Sequence, residues 1–324
     1  MVRAASSTGA LFGTAFIPAP RRLEWPLVGV VIATRNRPHL LRRALASVIA
    51  QDYPGPLRVV LVYDGVAPDW RLARGGERPV LVLENWRTPG SAGARNTGIL
   101  AAGDCEFVAF CDDDDTWAPA KLTTQISAMR ARPGTLFATC AVEVEHDGRR
   151  ATRLSGRREI AVEHLMGIDA RTLRASGFVA RQGALATDAA RGGIGLVAED
   201  APAYGECWDL LVRAARRAPI LHLDTPLVRM LWRREVLDHS RGENQVQALL
   251  WMIDRHPEIR RRRVAARVYA EIACWQAALG NRTAARLWAG VAVRTRWYSP
   301  ATALAAAAAA GLLRRARLDA LLNR

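Results

Sequence analysis

The sequence is poor in most features that would mark a special class of protein. Its five cysteines (Cys105, Cys111, Cys140, Cys207 and Cys274) are odd in number and none stands in a C-x-x-C pair. That argues against a disulfide framework and for a reduced, cytoplasmic compartment. No apolar run reaches the roughly 18 residues that a membrane span needs; the longest, in "ATALAAAAAAGLL", is short and mostly alanine. Acid is scarce relative to base, with 31 Asp and Glu against 46 Lys and Arg and a formal charge of +15. The bases are almost all arginine, scattered in clusters at Arg149–Arg150, Arg216–Arg217, Arg260–Arg263 and Arg314–Arg315 rather than gathered in one stripe. No nucleic-acid-binding motif accompanies them, so nucleic acid is not expected as a partner. The charge reads instead as solvated helix faces, or as attraction to anionic lipid or a phosphorylated small molecule. Residues 1–25 hold a short apolar patch broken by Gly, Thr and Pro, and read as a disordered tail rather than a signal peptide.

What is present is a regular α/β text. Half of the 324 residues are apolar, enough for one large domain with an appendage. "LVGVVIA", "LRVVLVYDG", "RPVLVLEN" and "EFVAFCDDDD" are continuous apolar runs of strand length. Between them, "RPHLLRRALASVI" and "SAGARNTGILAA" recur at helical spacing, with Asn36 expected to cap the first. The pattern is β-α-β-β-α-β. Strands buried on both faces imply a mostly parallel central sheet with helices on both faces, whose ligand crevice lies beyond the carboxyl ends of the strands. There "ATRN", "YDG" and "DDDD" converge. Further on, "TLFATCAVEVEHDGRR" suits a hairpin turning at Asp147–Gly148, and the glycine-rich stretch to residue 205 reads as loops that could choose an acceptor. "ECWDLLVRAARRAP" is helical again, and "ILHLDTPLVRMLW" is a closing strand. From residue 238 the chain is a helical C-terminal region, with two helices meeting at Gly280–Asn281. The expected division is a tail (1–25), an α/β domain (26–237) and a helical appendage (238–324).

Four consecutive aspartates, Asp112–Asp115, ending a buried strand are costly, because carboxylates within about 4–6 Å repel and raise one another's pKa. A cation relieves that cost. Carboxylate oxygens are hard ligands suited to Mg²⁺ or Mn²⁺, which complete their coordination with phosphate oxygens and water. A metal diphosphate is the natural guest, and a nucleoside diphosphate is a good leaving group once its charge is neutralised. Arg95, in "SAGARNTG" near a helix start, could add a charge-assisted hydrogen bond.

The span from "VGVVIATRNRPHLLRRALASVIAQDYPGPLRVVLVYDG" through "PGSAGARNTGILAAGDCEFVAFCDDDDTWAPAKL" resembles the inverting family 2 glycosyltransferases of GT-A fold, and "YGECWDLLVRAARRAPILHLDTPLVR" extends the likeness. The resemblance implies a nucleoside diphosphate sugar donor and a Mg²⁺ or Mn²⁺ cofactor. It places Thr34, Asn36, Asp64, Arg95 and Asp113 at nucleotide-contacting positions, and Asp112 and Asp114 at the Asp-x-Asp metal motif, with Asp114 as the direct ligand. Tyr63 stands where the family has the first of two paired aspartates, which leaves base selectivity open. Where the family reads Glu-Asp-Trp-Asp-Leu around its general base, this chain reads Glu206-Cys207-Trp208-Asp209-Leu210. Either Glu206 or Asp209 is then the catalytic base, and helical spacing is expected to bring those two together while Cys207 points elsewhere. The acceptor is left open between a lipid-linked group and a glycan. A cytoplasmic enzyme in peripheral contact with the membrane is expected. The alternatives are a catalytically impaired nucleotide-sugar-binding protein and a nucleotidyltransferase, the latter disfavoured by "ATRNRP" in place of a glycine-rich phosphate loop.

Overall fold

A computed structural model of the chain describes residues 25–146, 148–165, 173–231, 239–313, 317–318 and 322. The first half follows the apolar runs: β1 (Val28–Thr34), α1 (Pro38–Ile49), β2 (Leu57–Tyr63), β3 (Val80–Glu84), α2 (Ser91–Ala101) and β4 (Phe107–Asp112). Then come β5 (Thr116–Trp117), α3 (Lys121–Arg130), β6 (Phe137–His146), β7 (Arg149–Arg153), β8 (Glu159–Ile160) and α4 (Val162–Leu165). A short β9 (Val179–Arg181) and α5 (Gln182–Ala186) interrupt the glycine-rich loops before α6 (Glu206–Arg217) and the long β10 (Ile220–Leu231). Four helices follow: α7 (His239–Arg255), α8 (Arg262–Ala278), α9 (Arg282–Arg296) and α10 (Pro300–Ala309).

One sheet runs β3-β2-β1-β4-β9-β6-β10-β5. The expected parallel core is β3-β2-β1-β4, while β9 lies antiparallel between β4 and β6 and makes the whole sheet mixed. Because β1 pairs β2 on one side and β4 on the other, the chain's direction of travel reverses there. A crevice opens at such a switch point, outside the carboxyl ends of β1 and β4. The hairpin of β6 and β7 forms as expected, with His146 opposite Arg149; its turn residue Asp147 lies outside the described residues. So do residues 1–24, the division at 237/238 and the Arg314–Arg315 cluster.

Two packing details position the site. Gly98 of α2 faces β1 so closely that a Cβ there would sit 2.3 Å from Val31 Cγ1. The missing side chain lets α2 lie flush on the sheet and fixes the height of Arg95, one turn earlier. At the first turn of α3 sits Lys121, the sole lysine of the chain and 0% exposed. Its Nζ has no hydrogen-bond partner among the described residues and lies 3.9 Å from the centre of the Trp117 ring. Burial pulls its pKa down to about 8; a cation at a helix N-terminus is also on the wrong end of the dipole.

One expectation about α1 is corrected. Asn36 does not cap it: the N-cap is Arg37, with no side-chain cap, followed by Pro38 in the first turn. Asn36 instead takes a left-handed φ of 56°, a conformation asparagine tolerates better than most residues. It thereby turns the chain from β1 into α1.

Candidate active site

The four aspartates are held by four different arrangements, which is why the chain can place them together. Thr34 Oγ1, at the end of β1, donates to Asp113 Oδ2 at 2.7 Å. Arg37 donates to Asp113 Oδ1 at 3.1 Å and to Asp114 Oδ2 at 2.5 Å. From α2, Arg95 Nη2 reaches Asp112 Oδ1 at 2.8 Å. Ser176 Oγ donates to Asp115 Oδ2 at 2.6 Å and accepts from the Asp112 amide at 2.9 Å. Burial raises the pKa of Asp113 against the pull of Thr34 and Arg37, and raises Asp114 with help from the charge of Asp112. Burial and Asp112 drive Asp115 well above the carboxylate range.

Among the described residues no three His, Cys, Asp or Glu side chains converge into a complete metal cage. Asp112 and Asp114 line the cleft and are 33% and 35% exposed. A hard cation held by one or two carboxylates, with phosphate and water as its other ligands, fits that donor set.

Asp64, at the end of β2, is a joint as well as a lining residue. It accepts from the Gly90 amide at 3.0 Å on each oxygen and from Asn85 Nδ2 at 2.8 Å. Gly90, with φ of 119°, leads into α2, so the amide-rich start of that helix faces the cleft where an anion would be welcome. Tyr63 is 8% exposed and packed in the core. Asn36 is exposed and is not part of the cleft wall.

The structure separates the two carboxylates proposed as base. Glu206 opens α6 with Oε1 held by Ser91 Oγ at 2.8 Å and Arg95 Nη1 at 3.3 Å, while Oε2 has no partner among the described residues. Asp209 is fully buried away from the cleft, bound by Arg213 at 2.8 Å, Arg255 at 2.9 Å and His256 at 3.0 Å. Cys207, expected to point elsewhere, lines the cleft beside Glu206. Three residues rotate a helix by ~300°, so two such side chains diverge by ~60°, and here that sends one into the cleft and the other beneath α7. Burial pushes the Cys207 thiol up to about 12, with the Arg95 charge opposing, so it is a neutral thiol near pH 7.

Burial alone would raise Asp209, but the His256 hydrogen bond and the charges of Arg213 and Arg255 hold it down to about 2. Its folded pKa lies below the unfolded one. The stability it contributes is therefore present above pH ~4 and is lost as pH falls towards about 2. Asp209→Asn leaves the guanidinium groups of Arg213 and Arg255 around a neutral group and should cost roughly 3–5 kcal/mol, read by denaturant titration at pH 7. A wild-type-like midpoint would show that the network is dispensable.

Of these groups, Thr34, Arg37, Asp64, Ser91, Arg95, Asp112, Asp113, Asp114, Glu206 and Cys207 line one cleft of ≈ 650 Å³. It runs from Thr34, Asp64 and Asp114 past Arg95 to Glu206, and on to a far wall built by α7 and α8. Sequence reasoning missed Arg37, Ser91, Asp115 and Ser176. Only Asp115 carried a local signal, as the last of the aspartate run.

A switch-point crevice edged with aspartates on a half-parallel sheet is the GT-A architecture. It is shared with a mannosyltransferase of Pyrobaculum calidifontis in complex with GDP-Man and Mn²⁺ (TM-score 0.55, 21% identity, 94% of this chain and 87% of that one). The Staphylococcus aureus TarS 1–349 complex with UDP-GlcNAc has it too (TM-score 0.52, 14% identity, 77% and 72%). Residues 29–185 match the model described as Glycosyl transferase family 2. The chain is 33% identical over 106 residues to a UDP-Glc:alpha-D-GlcNAc-diphosphoundecaprenol beta-1,3-glucosyltransferase of Escherichia coli, covering 32% of this chain and 41% of the relative. It is 29% identical over 125 residues to a GalNAc(5)-diNAcBac-PP-undecaprenol beta-1,3-glucosyltransferase of Campylobacter jejuni, covering 37% and 40%. The chain thus spans about two fifths of the length of these curated relatives.

Proposed function

We propose that the chain is a glycosyltransferase that moves a sugar from a nucleoside diphosphate sugar to an acceptor hydroxyl with inversion. The observation that carries this reading is Arg95. One guanidinium joins Asp112, at the proposed metal end, to Glu206, at the proposed base, so leaving group and nucleophile would meet on its two sides.

In this reading Asp114 and Asp112 hold Mg²⁺ or Mn²⁺, which when bound supplies Lewis-acid neutralisation of the diphosphate. Thr34 and Arg37 brace the aspartate loop, and Asp64 fixes the start of α2 at the nucleotide. Glu206 Oε2 takes the acceptor proton while Oε1 stays clamped by Ser91 and Arg95. The acceptor oxygen bonds to the anomeric carbon as the glycosyl–phosphate bond breaks. Its electron pair leaves with the diphosphate, which Arg95 stabilises by charge-assisted hydrogen bonds. Product analysis tests the reading: free nucleoside diphosphate formed in step with glycosylated acceptor supports it, and released pyrophosphate refutes it. A chain that binds nucleotide without turnover is the second reading, favoured by Cys207 at the position where the resemblance implies an aspartate.

The relatives' names point to a lipid-linked acceptor. We assign residues 26–237 to transfer and 238–324 to a helical region at the membrane surface. Among the described residues no helix is long and apolar enough to cross a membrane. Yet no acidic residue lies between Glu271 and Asp319, and α9 alone carries Arg282, Arg286, Arg294 and Arg296. Leu287 on the same helix is exposed, and Trp297 just beyond it is 75% exposed. Basic groups flanked by exposed aromatics suit an anionic lipid surface, each contributing ~1 kcal/mol near it. The protein should float with anionic liposomes at low salt, detach at high salt, and float less as Trp297→Ser. Failure to float at low salt would reduce the charge to a solvated surface.

A further inference from the structure

Behind the cleft wall lies a carboxylate with no part in the chemistry so far. Glu199 sits in the irregular segment 197–205 that leads into α6. It accepts from Arg87 Nε, from Thr88 Oγ1 at 2.6 Å and from Asn96 Nδ2 at 2.7 Å. Burial would raise its pKa, but the hydrogen bonds from Asn96, Thr88 and Arg87 hold it down to about 2, so it is ionised near pH 7. Asn96 also closes a two-way pair with Val197, donating to its carbonyl at 2.8 Å and accepting from its amide at 2.9 Å. None of these five residues lines the cleft. Both segments that they join do end there. Residues 85–90 carry Asn85 and Gly90, which bond Asp64, and segment 197–205 runs on to Glu206. Its last two residues are tightly determined. Tyr204 lines the cleft with a left-handed φ of 75°, a conformation that a bulky residue keeps only where its surroundings enforce it. Gly205 lies against α7, where a Cβ would meet Ala248 Cβ at 3.6 Å and Trp251 Cε3 at 3.7 Å. The segment is a strap, fixed on α7 at one end and through Glu199 on residues 87–88 at the other, with the strained residue between.

From this arrangement we propose that Glu199 is a positioning residue: it ties residues 85–90 to the strap, so that a nucleotide settling at Gly90 and Asp64 also orders the strap and sets Glu206. A ligand that orders one of two tied segments leaves the other less freedom to lose, which couples donor binding to alignment of the base. Untied, the strap relaxes at Tyr204 and carries Glu206 out of line while the donor site stays whole. The inference rests on the transferase reading and deepens it, naming how its two halves are held in step.

Amide hydrogen exchange of the full chain, with and without saturating UDP or GDP and Mn²⁺, tests it and needs no acceptor. In the wild type the nucleotide that binds should slow exchange about tenfold or more in both 85–91 and 197–205. In Glu199→Ala it should still slow 85–91, while 197–205 should no longer respond. By linkage, nucleotide affinity in that variant falls by no more than the protection that the strap loses. Glu199→Gln keeps the shape of the side chain, and the Thr88 hydroxyl can accept from its amide, so part of the response should return. Amides of β1 and β2 should exchange as in the wild type, which reports that both variants are folded. A carboxylate that only stiffened the strap would, when removed, loosen it by the same factor in both states and leave the response intact. The inference is overturned by that result, or if nucleotide slows 85–91 alone in the wild type. If neither segment responds to either nucleotide, the donor reading falls and the inference falls with it.

Discussion

Glu206→Gln lowers turnover by about 10²–10⁴-fold, the usual share of general-base catalysis, and leaves nucleoside diphosphate affinity within about twofold. The amide keeps the shape of the side chain and can still accept from Ser91 Oγ, which lies 2.8 Å from Oε1, so the pocket persists. What is lost is the basic oxygen. Steady-state kinetics with donor and acceptor varied separately check the result, and the loss should fall on kcat. Cys207→Ser is the companion: a neutral hydroxyl replaces a neutral thiol, and turnover should change by less than about threefold. If Cys207→Ser abolishes turnover while Glu206→Gln does not, the thiol belongs to the mechanism and the base is misassigned.

Asp114→Ala abolishes the dependence of nucleoside diphosphate binding on a divalent cation. In the wild-type chain a nucleoside diphosphate with Mn²⁺ at ~100 times its dissociation constant should stabilise folding by ~2.7 kcal/mol, and little without the metal. The variant should show no difference between the two conditions. Arg37 sharpens the test, since its guanidinium bonds both Asp113 and Asp114 and shares their oxygens with any entering cation. Arg37→Ala should bind Mn²⁺ with nucleotide at least as well as wild type. Metal-dependent stabilisation that persists undiminished in Asp114→Ala would remove the carboxylate from the donor site.

The sheet could be read from the sequence because burial on both faces forces unbroken apolar runs, as in β1, β2 and β4; β3, at the sheet edge, is as apolar in sequence although Leu81 is exposed. The aspartates could be read because like charge is conspicuous. Their partners could not: Thr34, Arg37 and Ser176 lie 79, 76 and 61 residues from the aspartates they hold, and no local pattern announces a pairing over such distances. Asp209 shows a different limit. Spacing tells which residues share a side of α6, but not that Arg255, the last residue of α7, and His256 just beyond it pack there and claim a carboxylate. The far wall of the cleft was illegible for a related reason, since Arg241 and Arg267 have the same composition and spacing as arginines that merely face water.

Lys121 has a practical consequence. As the chain's only lysine, buried against Trp117 with none of its side chain exposed, it leaves the folded surface without a single ε-amine; every other basic side chain there is guanidinium or imidazole. Acylating reagents that label most proteins in many places would meet only the α-amino group. The one internal amine becomes reactive when α3 lifts from the sheet, so labelling at that position is a chemical clock for opening of this region, with one tick per molecule.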